Sequence, residues 1–124
     1  MKLIITTVAI VLILGSNITV GIAADVVPIT NQQANYMVLA NIIATQYAVK
    51  TSLTKKIINC ESSYKSTATH ITKREQSYGL VQINRLAHPT ISINQAEDPT
   101  YAITYLASNL ATGNGHQWSC YPSK

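Results

Sequence analysis

Apolar residues are distributed along this 124-residue chain in three different ways, and each predicts a different element. The run Leu3 to Leu14, interrupted only by Thr6-Thr7, follows Met1-Lys2 and passes through Gly15-Ser16-Asn17 to the small residues Ala23-Ala24. Those are the n, h and c regions of a secretory signal, with cleavage expected after Ala23 or Ala24. The other reading is an uncleaved membrane anchor, because Leu3 to Ala24 approaches the roughly 20 apolar residues that span a bilayer, although Ser16, Asn17 and Thr19 weaken it.

From Asn31 to Lys50 the spacing of Ala34, Met37, Val38, Ala40, Ile42, Tyr47 and Val49 predicts a first helix. Thr51 or Ser52 then caps a second, with Leu53, Ile57, Ile58 and Cys60 as its apolar stripe and Lys55 and Lys56 in water. Ser62 to Gln76 is rich in Ser, Thr and Lys and reads as a loop or small irregular hairpin. Ser77 is expected to cap a short helix from Tyr78 to Asn84. Between Arg85 and Glu97, Pro89 with the alternating Ile91 and Ile93 suggests a connecting loop.

Asp98-Pro99 is a strong helix start, with Asp98 as N-cap and Pro99 as first helical residue. Tyr101, Ala102, Tyr105, Leu106, Asn109 and Leu110 follow at helical spacing, and Gly113 with Gly115 ends the segment. A small, mainly α domain of three or four helices with little or no sheet is expected over residues 25–124, after a signal peptide over residues 1–24. No internal repeat or low-complexity stretch interrupts it.

About 100 residues after the signal is near the small end of what one hydrophobic core stabilises. A covalent tie would help, and Cys60 and Cys120 are an even count in an exported chain. One disulfide between them is expected, worth about 4 kcal/mol in the chain-entropy model. Two buried free thiols are the alternative if the compartment is reducing.

Lys and Arg exceed Asp and Glu by four, or by three once Lys2 is removed. A modestly basic chain suits an anionic polymer of the cell wall. Nucleic acid would bring a denser basic stripe with interleaved aromatics, and none is present. The five acids are Asp25, Glu61, Glu75, Glu97 and Asp98, so carboxylate chemistry has few possible owners. Glu97 and Asp98 read as the start of the last helix, and Asp25 as the mature terminus. Glu61 falls at the last turn of the second helix, where the carbonyl end and an apolar surround both raise a carboxyl pKa, as a general acid requires. Its bland alternative is a surface glutamate at a helix end. His70, His88 and His116 lack ligand spacing, so neither a metal nor another cofactor is expected. No Gly-x-Ser-x-Gly motif or phosphate-binding glycine loop occurs.

Glu61-Ser62-Ser63-Tyr64, then Ser77-Tyr78-Gly79-Leu80-Val81-Gln82-Ile83, then Asp98-Pro99 ahead of Tyr105-Leu106, stand in an order that resembles the lytic transglycosylase and lysozyme-like superfamily. The resemblance covers roughly residues 53 to 121. It implies a lysozyme-like fold, peptidoglycan as the substrate, Glu61 as the catalytic acid, and Ser77, Tyr78, Gly79, Gln82 and Tyr105 in substrate binding, with Tyr105 close to Glu61. Gly79 would let a sugar or a neighbouring helix approach the backbone, Gln82 would bond N-acetyl or hydroxyl groups, and Leu80 and Ile83 would face the core. Tyr64, Tyr78 and Trp118 could stack on pyranose faces, although Trp118 beside Cys120 fits packing against the disulfide better.

Hydrolysis requires a second carboxylate, about 5 to 5.5 Å from the acid for retention or about 6.5 to 9.5 Å for inversion. In animal c-type lysozymes an Asp precedes the corresponding Tyr-Gly; here the residue is Ser77. Glu75 is the possible second carboxylate, although its neighbours Arg74 and Gln76 suit a solvated or salt-bridged residue. The resemblance therefore implies a transglycosylase that cuts the MurNAc-GlcNAc β-1,4 bond and leaves 1,6-anhydroMurNAc ends. A muramidase using Glu61 and Glu75, or a non-catalytic wall-binding assembly protein, are the alternatives. So short a domain would suit local wall opening for a phage, conjugation or secretion apparatus, with membrane association only if the N-terminal segment is retained.

Overall fold

Thr30 opens the first helix with a reciprocal cap. Its Oγ1 accepts the Gln33 N–H at 3.2 Å, and its own N–H donates to Gln33 Oε1 at 3.0 Å. The computed structural model describes residues 28–122; the expected signal peptide lies outside the described residues. The first helix, α1, spans Asn31–Gln46 and buries Ala40, Ile43 and Ala44. It stops short of Lys50 because Ala48 turns left-handed (φ 54°) and Val49 N–H bonds back to the Ala44 carbonyl.

That turn leaves Lys50 extended, so the second helix, α2 (Thr51–Ser62), is capped by Lys50, one residue before the earlier of the two predicted caps, without a side-chain hydrogen bond. Thr51 is already helical. Ile57 and Ile58 are fully buried on the predicted stripe, whereas Cys60 lies exposed at its edge. Two consecutive left-handed residues, Ser63 and Tyr64, end α2 directly after Glu61-Ser62.

Strands β1 (Thr69–Ile71), β2 (Gln76–Tyr78) and β3 (Ile83–Asn84) follow as an antiparallel sheet in that order. His70 pairs with Ser77, and Ser77 with Asn84. The predicted hairpin is present, but the helix expected from Tyr78 to Asn84 is not. Gly79 (φ 82°) and Gln82 (φ 51°) both take left-handed conformations, which no α-helix accommodates, and Ser77 sits mid-strand with partners on both sides instead of capping.

Ser92 and Gln95 form a second reciprocal cap that starts a short helix, α3 (Ile93–Glu97), inside the predicted loop. Glu97 therefore ends α3 and does not belong to the first turn of the next helix. That helix, α4 (Pro99–Ala111), starts as predicted: Asp98 Oδ1 accepts the Tyr101 N–H at 2.7 Å, and Pro99 is at its first turn. It ends before Gly113 (φ 81°), and a 3-10 turn at Gly115–Gln117 leads into the tail.

Helix α1 packs on α2 and α4, and α3 packs on α4 and β2. Between them Ile57, Ile58, Leu80, Val81, Ile103 and Leu106 are wholly buried. The tail closes this core through Trp118, which is 6% exposed and donates its Nε1–H to the Val81 carbonyl at 2.8 Å. Cys60 and Cys120 are joined, with Cα atoms 6.1 Å apart. Among the described residues the result is a mainly α domain of four helices with one disulfide and a small sheet. No helix among the described residues is long and apolar enough to cross a membrane.

Candidate active site

Glu61 stands one residue from the end of α2, beside the disulfide, and is only partly exposed. Its Oε1 faces two donors from the tail, the Ser119 hydroxyl and the Cys120 N–H, each at 3.4 Å. Burial pushes the Glu61 carboxyl above the ordinary carboxylate range; the Cys120 and Ser119 hydrogen bonds pull it down, and the negative charge of Glu75 pushes it up. The net effect is upward. A carboxyl group in this state keeps its proton to higher pH than a solvated one, as protonating a leaving oxygen requires.

Glu75 lies in the turn between β1 and β2. Its Oε1 accepts the Ser77 hydroxyl at 2.6 Å, and its Oε2 is 3.8 Å from His70 Nε2 across the hairpin. It lies within ion-pairing reach of His70 when that imidazole is protonated, and its charge acts on Glu61. Ser77, 1% exposed, spends its hydroxyl on this carboxylate.

The other residues named from sequence take different places. Gly79 admits a neighbouring helix: a Cβ there would lie 1.8 Å from the Ala96 carbonyl oxygen in α3. Tyr78 and Tyr64 are 8% and 7% exposed, so their rings belong to the core, and the Tyr64 hydroxyl donates to the Lys55 carbonyl. Gln82 donates its amide to the Ala68 and Gly79 carbonyls at 3.1 and 2.9 Å, which braces the turn. Leu80 and Ile83 are buried, at 0% and 2% exposure.

Gln82 also lines a cavity of about 230 Å³ together with Asn84, His88, Tyr105, Gln117 and Trp118. The Tyr105 hydroxyl meets His88 Nε2 at 3.1 Å, and its ring packs edge-on against Trp118 with centroids 6.0 Å apart. Burial pushes the Tyr105 phenol up, with the nearby Tyr101 adding to it, so the hydroxyl stays neutral and able to donate. Carboxamides, a phenol, an imidazole and an indole wall are groups that hold a sugar through hydroxyl and N-acetyl contacts. The tail joins this cavity to the acid, because Gln117 and Trp118 line one while Ser119 and Cys120 bond the other. A second groove, of about 490 Å³, runs past Gln32, Gln33, Ser62 and Lys65, next to Glu61 in the chain.

Asn84, His88, Gln117 and Ser119 were not anticipated in these places. They come from the end of β3, the loop after it and the C-terminal tail, and no sequence spacing announces their meeting.

No curated protein and no solved structure matches the chain. The family model described as Transglycosylase SLT domain matches residues 38–123, from the middle of α1 through the Ser119-Cys120 tail, and so contains Glu61, the hairpin, α4 and the tail. The chain belongs to the transglycosylase SLT domain family.

Proposed function

We propose that this protein is a lytic transglycosylase that cuts the MurNAc-GlcNAc β-1,4 bond of peptidoglycan and leaves 1,6-anhydroMurNAc ends. The observation that carries the reading is Glu61: a carboxyl group whose pKa burial raises, near the end of α2, within the matched domain, and bonded by the tail residues Ser119 and Cys120 that directly follow the cavity-lining Gln117 and Trp118. Membership of the family implies peptidoglycan as the polymer.

In this mechanism the protonated Glu61 gives its proton to the glycosidic oxygen as the C1–O bond breaks. The N-acetyl carbonyl oxygen of the same muramic residue closes on C1 and takes up the developing positive charge. Glu61, now a carboxylate, removes the proton of the C6 hydroxyl, and O6 attacks C1 to displace the N-acetyl oxygen. Glu61 ends protonated, as it began, and no water is consumed. Tyr105, Gln82 and the other cavity residues hold the glycan, and Ser77 and Gly79 shape the hairpin beside it.

A muramidase is the second reading, favoured by the charge of Glu75 acting on Glu61. Against it, the Ser77 hydroxyl already engages one Glu75 oxygen at 2.6 Å. The proposal includes export with removal of residues 1–24, which suits the disulfide, and local wall opening for a phage, conjugation or secretion apparatus. Digesting purified peptidoglycan with the protein and with Glu61→Gln, followed by mass spectrometry of the released muropeptides, tests the reading. Anhydro ends from the unmodified protein alone support it. Reducing ends transfer the assignment to hydrolysis, and equal release, or none, from both proteins rejects Glu61 as the acid.

A further inference from the structure

Three serines have their hydroxyls near Glu61 or its neighbours, and only one of them bonds its carboxyl. The Ser62 hydroxyl is shared between the Ile58 carbonyl at 3.1 Å and the Leu80 carbonyl at 2.8 Å. The Ser77 hydroxyl is held by Glu75 at 2.6 Å. The Ser119 hydroxyl reaches Glu61 Oε1 from a segment 58 residues away, alongside the Cys120 N–H. Among the described residues no Lys, Arg or His forms an ion pair with Glu61. Glu75 is the ionised group whose charge reaches it.

We propose that Ser119 is a positioning residue for the catalytic acid: with the Cys120 N–H it anchors Glu61 Oε1 and leaves Oε2 to carry and deliver the proton. This rests on the reading of Glu61 as the acid. Both donors meet the same oxygen, so a proton on Oε1 would oppose two N–H or O–H dipoles, whereas a proton on Oε2 leaves both bonds in place. The anchor also serves the second half of the reaction, because a carboxylate held by donors keeps its orientation while it waits to act as the base.

The disulfide makes the anchor possible. Ser119 itself is exposed, and an exposed tail would not by itself hold a hydroxyl on a carboxyl group. Cys120, one residue on, is bonded to Cys60, one residue before Glu61, so the donors and the acceptor flank the two ends of one covalent bridge. The bridge therefore couples the oxidation state of the chain to the orientation and the protonation of the acid.

The test is carbon-13 NMR titration of the side-chain carboxyls in the full chain, which holds three glutamates, with Glu61 assigned through Glu61→Gln. Ser119→Ala should move the Glu61 midpoint to higher pH and leave that of Glu97 in place, and Ser119→Thr should restore it. In the peptidoglycan assay, Ser119→Ala should lower the plateau rate about two- to ten-fold, the loss of one ordinary hydrogen bond, while the alkaline limb of the pH profile moves up. Reduction of the disulfide should move the midpoint the same way. A Glu61 midpoint that stays in place or falls in Ser119→Ala overturns the proposal, as does failure of threonine to restore it. The titration does not depend on turnover, so an inactive protein with a shifted midpoint would reject the transglycosylase reading and leave the anchor standing.

Discussion

Gly79 and Gly113 have nearly the same backbone conformation, φ 82° and φ 81°, but very different surroundings. Replacing either with alanine places a side chain in the left-handed region at a cost of about 1–2 kcal/mol. At Gly113 nothing lies within 4 Å of the new Cβ, so that is the whole cost. At Gly79 the Cβ would lie 1.8 Å from the Ala96 oxygen, 2.7 Å from the Ala96 carbonyl carbon and 3.3 Å from Glu97 Cα. The first distance is about 1.7 Å short of an ordinary van der Waals contact. The obstacle is backbone that cannot rotate aside, so β2 and α3 must separate, which adds an overpacking cost toward the upper end of about 1–3 kcal/mol.

Gly79→Ala is therefore expected to destabilise the fold by about 3–5 kcal/mol, against about 1–2 kcal/mol for Gly113→Ala. Urea unfolding followed by far-ultraviolet circular dichroism measures both. In a domain of this size each kcal/mol corresponds to about 4–8 °C in Tm, so thermal melts should separate the two variants by roughly 8 °C or more. If Gly79→Ala cost no more than Gly113→Ala, the close approach of α3 to the hairpin would be refuted, and with it the packing that positions Ser77 and Glu75.

Two further outcomes follow from the site. The Glu61 carboxyl is held above the ordinary carboxylate range by burial, so the fold favours its protonated form. The contribution of Glu61 to stability is thus fully present below the ordinary carboxylate pKa and is lost as pH rises through the raised one. Glu61→Gln should match the unmodified protein at low pH and exceed it in stability at neutral pH; a less stable variant at pH 7 would contradict the burial argument. The Cys60–Cys120 bond spans a sequence separation of 60. Replacing both cysteines with serine should cost about 4 kcal/mol, a large share of the 5–15 kcal/mol typical of a domain, read as a fall in the urea midpoint. A loss below about 1 kcal/mol would show that the tail is held in place by Trp118 packing alone.

Local signals along the chain determined the elements whose causes are themselves local. Asp98-Pro99 starts α4 because a carboxylate cap and a residue preset at φ near −65° act on the same turn. Ile57 and Ile58 are buried because helical periodicity puts them on one face, and the same periodicity puts Glu61 in the last turn of that helix. The even cysteine count pointed to the disulfide, and the order of three motifs to the family.

Tertiary structure decided everything that depends on distant parts of the chain. Tyr78 to Asn84 has the composition of a short helix, but β1 and β3 offer Ser77 a partner on each side, and α3 presses on Gly79, so the segment pairs as a sheet. The capping box at Ser92 and Gln95 was visible as residues, yet Pro89 and the alternating Ile91 and Ile93 masked it, and burial of Ala96 is what fixes α3. Tyr64 and Tyr78 look like sugar-stacking rings until the core encloses them. The donors on Glu61 come from residues 58 and 59 positions away, and the cavity gathers side chains from three separate segments. Such meetings have no period and no local propensity. They exist because a covalent bridge and a buried Trp118 bring the tail back across the end of α2.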